Sequence, residues 1–211
     1  MKKLKLNGWG TRRVLAEKGL TADRRIGRGA FCAVYEAGPD AVLKLTADSI
    51  QYESVRDYLW GDHYPALLGD DHGYAGEQSN EQSLYLFRAE RLQPLRFADV
   101  ATKKLATLFL RRADLAWASP QTQREASRSP RQERRTVRTR ESLKQLVDDG
   151  VLPASLRQAL ADLLRMINDY DGLQFDLHRG NLMVRGTDEL VLNDVVVSGS
   201  LMAADKPLFA I

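Results

Sequence analysis

The sequence predicts an α+β protein in two parts, a β-rich part with a leading helix over residues 1–92 and a helical part over residues 93–211. Short apolar runs separated by turn residues, the usual pattern of strands, dominate the first part. Over residues 97–117, 141–148 and 153–170 the apolar side chains recur at three- and four-residue intervals, which is typical of amphipathic helices. Two further apolar runs, at 182–184 and 190–192, flank a turn-like segment and predict a β-hairpin.

The first part is expected to begin with a helix over residues 9–20, with Trp9 and Val14 on its packed side and Gly19 near its end. A second helix is expected over residues 48–60, with Asp48 or Ser49 as its cap. Strands are predicted at 25–36, 41–45, 64–68 and 83–92.

Three helices are predicted in the second part, over residues 97–117, 141–148 and 153–170, with a break at Gly150. Between the first two lies an arginine- and serine-rich segment, 119–140, which we expect to be a flexible loop. It has seven arginines and two acids from Arg124 to Arg140, and could coat a phosphate backbone or attract an acidic protein. A solvated loop is the favoured interpretation. Hydroxyl residues beside these arginines could be autophosphorylated, namely Ser127, Ser129, Thr136 and Thr139.

The composition, with 211 residues and 44% hydrophobic side chains, is that of a globular protein. No apolar stretch approaches the length of a membrane span, and the lysine-rich start is followed by Asn7 and Gly8 rather than by an apolar signal core. We therefore expect a soluble, cytoplasmic protein without a membrane partner. A single cysteine, Cys32, excludes an internal disulfide and a cysteine zinc site. The formal charge of +3 does not favour nucleic acid as a partner, although the arginine-rich segment leaves that alternative open.

The clearest chemical pattern is formed by Asp176, Asn181 and Asp194 around the predicted final hairpin. Asn181 precedes its first run and Asp194 follows its second, so the open ends of the hairpin would bring the two together. Amide and carboxylate oxygens suit a hard cation such as Mg²⁺. The spacing suits phosphoryl transfer, in which one aspartate accepts the proton of the attacking hydroxyl while an asparagine and a later aspartate hold the metal. The alternative is that these side chains only make hydrogen bonds within turns.

A second group of candidates surrounds a glycine pair in the first part. Gly27 and Gly29 would let the backbone approach a triphosphate, and Lys44 on the next strand could supply a positive charge to its oxygens. The alternative for Lys44 is an exposed edge strand. Glu53, on the following helix, is either the ion-pair partner of Lys44 or a surface residue. The backbone of residues 89–92 would face the adenine base, unless that segment is a plain strand.

The order of these motifs resembles the protein-kinase-like fold, with a glycine loop, a strand lysine, a hinge, a catalytic loop and a metal-binding aspartate. Four stretches look more narrowly like the early serine/threonine protein kinase of lytic podoviruses of the Teseptimavirus type. They are Gly27-Arg28-Gly29-Ala30-Phe31-Cys32-Ala33-Val34-Tyr35, Val42-Leu43-Lys44-Leu45, Phe175-Asp176-Leu177-His178-Arg179-Gly180-Asn181-Leu182-Met183 and Asn193-Asp194-Val195-Val196-Val197-Ser198. The likeness is good at both ends of the chain and poor from about residue 92 to residue 148.

The resemblance implies an enzyme made early in phage infection that uses ATP and Mg²⁺ to phosphorylate serine and threonine of host proteins, including transcription and RNA-processing machinery. It implies that Asp176 is the base or orients the hydroxyl, that Asn181 and Asp194 hold the metal, and that Lys44 clamps the phosphates. His178 would contact the γ-phosphate or cap the loop. The implied nucleotide-binding residues are Gly27, Arg28, Gly29, Ala30, Phe31, Val34, Lys44, Glu53 and Glu90.

Several positions depart from the pattern of ordinary protein kinases. Cys32 stands in place of the third loop glycine, and Val195-Val196 in place of the Phe-Gly after the metal aspartate. Seventeen residues follow Asp194, so we expect a minimal fold with a truncated C-terminal lobe. These departures leave two alternatives. One is a pseudokinase-like binding protein that inhibits a host factor without catalysis, and the other is a small-molecule phosphotransferase, because the motif at 176–181 also resembles that of antibiotic kinases.

Overall fold

The computed structural model describes residues 4–69, 72–79, 82–131, 133–170 and 172–198, and the chain forms two compact units. The first unit comprises Met1–Arg56 and Ala66–Arg91, and the second comprises Asp57–Pro65 and Leu92–Ile211. The division therefore falls one residue before the predicted one, and the segment Asp57–Pro65 belongs with the second unit. The α+β class is confirmed, and the described elements follow the order expected of a protein-kinase-like fold.

The first unit is built on a five-stranded antiparallel sheet in the order β1-β2-β3-β5-β4. Its strands are β1 (Arg25–Arg28), β2 (Cys32–Glu36), β3 (Ala41–Thr46), β4 (Gly73–Ser79) and β5 (Gln82–Glu90). The predictions at 25–36, 41–45 and 83–92 are confirmed, and the first of these splits into β1 and β2 at the glycine pair. Sequence reasoning missed β4, because its glycines and polar residues do not alternate with apolar ones.

Helix α1 (Trp9–Glu17) lies on one face of this sheet. Its Val14 packs in a buried cluster with Tyr35, Leu45 and Leu84. At Gly10 the helix comes so close to β4 that a Cβ would lie 1.9 Å from the carbonyl oxygen of Glu77. Trp9 is 73% exposed, so the expectation that it would lie on the packed side is wrong. The close approach at Gly10 rotates the helix so that its small residue, rather than its largest one, meets the sheet.

Helix α2 (Ser49–Glu53) lies on the other face and continues into a π-helical turn at Ser54–Tyr58. Asp48 caps it as predicted, since its Oδ1 accepts from the backbone N–H of Ile50 at 3.1 Å. Tyr52 packs with Val42 and Phe87, which point to this face because strand side chains alternate.

Residues 64–68 do not form the predicted strand. Among them Leu67 makes a single bridge to Ala89 of β5. Tyr64 belongs to the second unit, where its buried hydroxyl donates to the carbonyl of Ala159 at 2.6 Å. The run resembles a strand in composition, but the chain passes from the second unit to the first between Pro65 and Ala66, and Tyr64 and Pro65 are its buried residues.

The second unit contains helices α3 (Val100–Ala118), α4 (Pro120–Arg128), α5 (Arg134–Val147) and α6 (Ala154–Asp169). Strands β6 (Gln93–Pro94), β8 (Leu182–Arg185) and β9 (Glu189–Leu192) form one antiparallel sheet in the order β6-β8-β9, and β7 (Leu173–Phe175) pairs with β10 (Val196–Ser198). The predicted helices at 97–117, 141–148 and 153–170 and the final hairpin are confirmed. Helix α5 is central, since it packs against α3, α4, α6 and β7.

The arginine-rich segment 119–140 is not the flexible loop that its composition predicted, because α4 and the first half of α5 occupy most of it. The hydroxyl of Ser119 accepts from the N–H of Thr122 at 3.2 Å and so caps α4. Thr122 and Ala126 of α4 and Thr139 of α5 are fully buried. Within segment 119–140, small side chains thus form the packed sides of these helices. A search for large apolar residues at helical spacing therefore misses them.

Within the described residues, no helix is both long and apolar enough to cross a membrane. Residues 199–211 lie outside the described part of the chain, so the expectation of a truncated C-terminal lobe stays a prediction.

Candidate active site

Asp176 lies where strand β7 ends. In the β7–β10 pair Phe175 is opposite Val196, and the next backbone bond runs from the N–H of Asp176 to the carbonyl of Val195 at 2.7 Å. The ladder therefore continues one step beyond β7. It places Asp176 beside the loop that carries Asp194, eighteen positions later in the sequence.

Asn181 joins the two aspartates through its side-chain amide. Its Nδ2 donates to the backbone carbonyl of Asp176 at 2.7 Å and to the backbone carbonyl of Asp194 at 3.0 Å. It also lies 3.4 Å from Oδ2 of Asp176. The backbone of Asn181 adds a further link, because its carbonyl accepts from the N–H of Asn193 at 2.8 Å. The structure thus brings Asp176, Asn181 and Asp194 together within the second unit.

Asp194 has a left-handed backbone, with φ at 53°. Aspartate and asparagine tolerate this conformation better than most residues with a Cβ. The amide of Asn193 donates to its Oδ2 at 3.1 Å, which holds the carboxylate next to the loop.

The donor set at this place fits Mg²⁺. With Nδ2 of Asn181 bonded to two carbonyls, its Oδ1 points away from them, and the carboxylate of Asp194 supplies a charged oxygen. Mg²⁺ in nucleotide sites usually takes one or two carboxylates together with phosphate oxygens and water. Hydrogen bonding in turns, the alternative interpretation, is present as well. These hydrogen bonds use the side-chain nitrogen of Asn181, and its side-chain oxygen can still act as a metal ligand.

The pKa of Asp176 is set by opposing effects. Burial raises it, and the nearby carboxylate of Asp194 raises it further. The electrostatic interaction with His178, the hydrogen bond from Asn181 and the charge of Arg135 lower it. The net direction is upward, and the side chain keeps 27% of its surface exposed. A carboxylate that is partly desolvated yet reachable is a reasonable acceptor for a hydroxyl proton.

His178 caps the loop that follows Asp176, which was one of its two predicted roles. Its Nδ1 accepts from the N–H of Gly180 at 3.0 Å, so the proton of a neutral ring is on Nε2. That Nε2 lies 3.9 Å from Oδ2 of Asp176. Contact of His178 with a γ-phosphate stays a prediction.

Arg135 of α5 is a site residue that sequence reasoning missed. One helical turn after it, Oγ1 of Thr139 accepts from the N–H of Phe175 at 3.3 Å, which ties α5 to β7 directly before Asp176. The charges of Arg135 and Asp176 interact, and burial lowers the pKa of Arg135. The four-residue spacing of Arg135 and Thr139 would place both on one side of a helix. This signal was overlooked because the segment was predicted to be a loop.

The glycine pair lies in the first unit, in a tight hairpin between β1 and β2. The N–H of Gly29 donates to the carbonyl of Cys32 at 2.8 Å. The carbonyls of Ala30 and Phe31 accept from Leu4 and Ala47 at 2.9 and 2.8 Å, respectively. A Cβ at Gly29 would meet only the carbonyl of Cys32, at 3.9 Å, so the packing of the protein itself does not require glycine there. Arg28 is exposed at the end of β1.

Lys44 is 5% exposed on the central strand β3, so the exposed edge-strand alternative is wrong. In register it lies between Val34 of β2 and Phe87 of β5, and its Nζ is 6.0 Å from the centre of the Phe87 ring. Val34 is half-buried on the same face of the sheet. Glu53 is half-buried on α2, and the described residues show no ion pair between it and Lys44. That pairing stays a prediction.

Glu90 holds the segment at Ala66 in place. Its Oε1 accepts from the N–H of Ala66 at 2.9 Å, and its own N–H donates to the carbonyl of Ala66 at 3.0 Å. The N–H of Arg91 donates to the carbonyl of Asp40 at 2.9 Å. These two N–H groups are therefore engaged within the first unit, and an adenine at this segment would have to use other backbone groups.

No family model and no curated protein matches the sequence. Among solved structures, the chain is similar to three of the aminoglycoside phosphotransferase APH(4)-Ia. The apo form of a thermostable mutant has 16% sequence identity and a TM-score of 0.36, with 89% of this chain and 72% of that chain covered. Another APH(4)-Ia structure has 15% identity, a TM-score of 0.33 and coverages of 86% and 71%. A thermostable mutant in a ternary complex with AMP-PNP and hygromycin B has 17% identity, a TM-score of 0.35 and coverages of 88% and 71%. Similarities this low indicate neither the reaction nor the substrate of this chain.

Proposed function

We propose that this protein is an ATP- and Mg²⁺-dependent phosphotransferase that acts on serine and threonine hydroxyls of proteins. The observation that carries the proposal is the side-chain amide of Asn181, which bonds the backbones of Asp176 and Asp194 at 2.7 and 3.0 Å. A candidate base and two candidate metal ligands are therefore linked by hydrogen bonds within the second unit. Their spacing suits phosphoryl transfer.

Asp176 would accept the proton of the attacking hydroxyl or orient that hydroxyl. Asn181 and Asp194 would hold Mg²⁺, which supplies positive charge that neutralises the phosphate oxygens. In the first unit, Lys44 would provide a fixed cation for the phosphates. The glycine hairpin would provide backbone groups that can approach them. Because the transition state of phosphoryl transfer is loose and anionic, positioning and charge would account for most of the rate.

The resemblance to the podovirus kinase supports protein acceptors, and within an infected bacterium these would be host transcription and RNA-processing proteins. Burial limits which of the four hydroxyl residues of segment 119–140 could be self-phosphorylated. Thr139 is fully buried and bonded to β7, whereas Ser127 is exposed on α4. Nucleic acid is a less favoured partner, because the formal net charge of +3 is modest.

The proposal is tested by incubating the protein with γ-labelled ATP, Mg²⁺ and a phosphatase-treated bacterial extract, and by identifying the labelled residues. Asp176→Asn should lower the transfer rate by at least about 10²-fold, the usual contribution of a general base, while ATP binding persists. Asp169→Asn, an exposed position at the end of α6, is the matched control and should keep full activity.

The same assay separates the alternatives. A pseudokinase would bind ATP but transfer no label to any acceptor. A small-molecule phosphotransferase would label low-molecular-weight alcohols and leave proteins unlabelled. An Asp176→Asn protein with normal activity would contradict the assignment of the base.

A further inference from the structure

Three hydrogen bonds fasten the backbone around Asp194. The N–H of Asn193 donates to the carbonyl of Asn181 at 2.8 Å, and the carbonyl of Asp194 accepts from the side-chain amide of Asn181 at 3.0 Å. The carbonyl of Val195 accepts from the N–H of Asp176 at 2.7 Å. The backbone of this candidate metal ligand is therefore held on both sides, and the rotation of its side chain is left to be fixed.

Asn193 makes a contact with Asp194 that a regular strand disfavours. Its Nδ2 donates to Oδ2 of Asp194 at 3.1 Å. Neighbouring side chains of an extended strand point to opposite faces, but the left-handed φ of 53° at Asp194 interrupts that alternation. Asn193 is 8% exposed, so its amide meets the carboxylate where little water competes. A hydrogen bond to a charged group is strong under these conditions and holds the carboxylate in one orientation.

This bond makes the two carboxylate oxygens of Asp194 unequal, because Oδ2 spends a lone pair on Asn193. The carboxylate is half-buried and can still be reached from solvent. Mg²⁺ demands nearly octahedral geometry and short contacts, which a single carboxylate oxygen can supply. Ca²⁺ tolerates a looser arrangement and often takes both oxygens of one carboxylate. A carboxylate held through Oδ2 therefore suits the smaller cation better.

We propose that Asn193 is a positioning residue that makes the site selective for Mg²⁺ over Ca²⁺, because its amide holds Oδ2 of Asp194 and so favours binding of a cation through one oxygen. This inference rests on the proposed function and deepens it, since Asn181 and Asp194 are the candidate metal ligands of that function. It gives a role to Asn193, which the proposed reaction does not use.

The test measures by calorimetry how tightly the full chain binds the ATP analogue AMP-PNP in excess Mg²⁺, in excess Ca²⁺ and in EDTA. The quantity of interest is the ratio of the affinity with Mg²⁺ to the affinity with Ca²⁺. Asn193→Leu replaces the amide by an apolar group of similar size at a buried position, and Asn193→Gln keeps an amide. The matched control is Asn168→Leu, which removes an amide from an exposed position on α6.

The wild type should bind AMP-PNP more tightly with Mg²⁺ than with Ca²⁺. Asn193→Leu should lower the affinity ratio by about tenfold, the order expected for one hydrogen bond to a charged group. Asn193→Gln should keep part of the ratio, and Asn168→Leu should keep all of it. A partly unfolded variant loses both affinities in proportion, so a general loss of stability does not imitate the change.

Other results distinguish the positioning role from the proposed function. A ratio that is unchanged in Asn193→Leu, or a wild type that does not distinguish the two cations, would overturn the positioning role, while labelled acceptor proteins in the transfer assay would still support the kinase. An Asn193-dependent ratio without any phosphate transfer would support the positioning role and overturn the kinase proposal. If EDTA leaves the affinity for AMP-PNP unchanged and no label is transferred, both are wrong.

Discussion

The side-chain amide of Asn181 donates a hydrogen bond to the backbone carbonyl of Asp194 at 3.0 Å and so fastens together two loops that are 13 residues apart. Asp194 has φ at 53°, a conformation that the loop must hold against an energetic cost. The bond from Asn181 helps to hold it. The same amide bonds Asp176, so one side chain positions both aspartates.

Asn181→Asp should destabilise the protein and abolish phosphate transfer. The replacement puts a carboxylate oxygen where Nδ2 now meets the carbonyls of Asp176 and Asp194, and oxygen facing oxygen leaves these groups unsatisfied. We expect a loss of about 2–3 kcal/mol in the free energy of unfolding, measured by urea titration. Asn7→Asp, at an exposed position, should change it by less than about 0.5 kcal/mol. An unchanged urea midpoint in Asn181→Asp would show that the bonds carry little energy.

The pH dependence of activity should report Asp176. Burial raises its pKa, so kcat/KM is expected to fall on the acid side at a pH above 3.8, the ordinary value. The charge of Arg135 opposes this rise, and its removal in Arg135→Gln should raise the pKa further and move the acid limb to higher pH. A pH–rate profile with a neutral serine peptide is the measurement. The acid limb of the pH–rate profile should not shift in Arg124→Gln. An unshifted acid limb in Arg135→Gln would contradict the charge interaction between Arg135 and Asp176.

Asp176→Asn should stabilise the fold while it abolishes transfer. Because folding raises the pKa of this carboxyl, its ionisation costs folding free energy at neutral pH. Removing the charge should increase the free energy of unfolding at pH 7 by about 1 kcal/mol, as is usual when a strained functional residue is relieved. The gain should shrink as the pH falls through the raised pKa and vanish below 3.8, where the wild-type carboxyl is protonated in both states. Denaturant titrations at both pH values test this, with Asp169→Asn as the control that should show no gain.

Gly29→Ala should leave stability unchanged and impair catalysis. Among the described residues, a Cβ there would meet no atom closer than 3.9 Å, so the free energy of unfolding should stay within about 0.5 kcal/mol of the wild type. If the hairpin approaches the phosphates, the added methyl group should displace them and lower kcat/KM for ATP by roughly tenfold or more. Unchanged ATP kinetics would argue that the hairpin does not touch the nucleotide.

Gly10→Ala should be strongly destabilising. Alanine normally improves a helix interior relative to glycine by roughly 0.5–1 kcal/mol. Here the new Cβ would lie 1.9 Å from the backbone oxygen of Glu77, so α1 would have to move off β4. We expect a net loss of about 2–3 kcal/mol by urea unfolding. Gly150→Ala, where no atom lies within 4 Å of the added Cβ, is the matched control and should be nearly neutral. Equal midpoints for the two variants would contradict the close packing of α1.

Motifs that depend on neighbouring residues could be predicted from the chain alone. The glycine hairpin, the cap at Asp48, the final hairpin with Asn181 and Asp194 at its ends, and the apolar helix α6 each arise from turn chemistry or from a short periodic pattern. The helices in segment 119–140 were missed because small residues such as Ala126 and Thr139 form their packed sides. Large apolar residues do not recur at helical spacing in this segment, whereas the small buried residues do.

The sequence by itself determined the fold class, the final hairpin and the three side chains whose oxygen chemistry suits phosphoryl transfer. Only the tertiary structure decided that Lys44 is buried on a central strand, that the N–H groups of Glu90 and Arg91 are already bonded, and that the charge of Arg135 acts on Asp176. The physical reason is the separation along the chain over which each interaction acts. Turn chemistry and periodicity act over a few residues, whereas these properties arise from contacts between segments tens of residues apart, which form only when the whole unit packs.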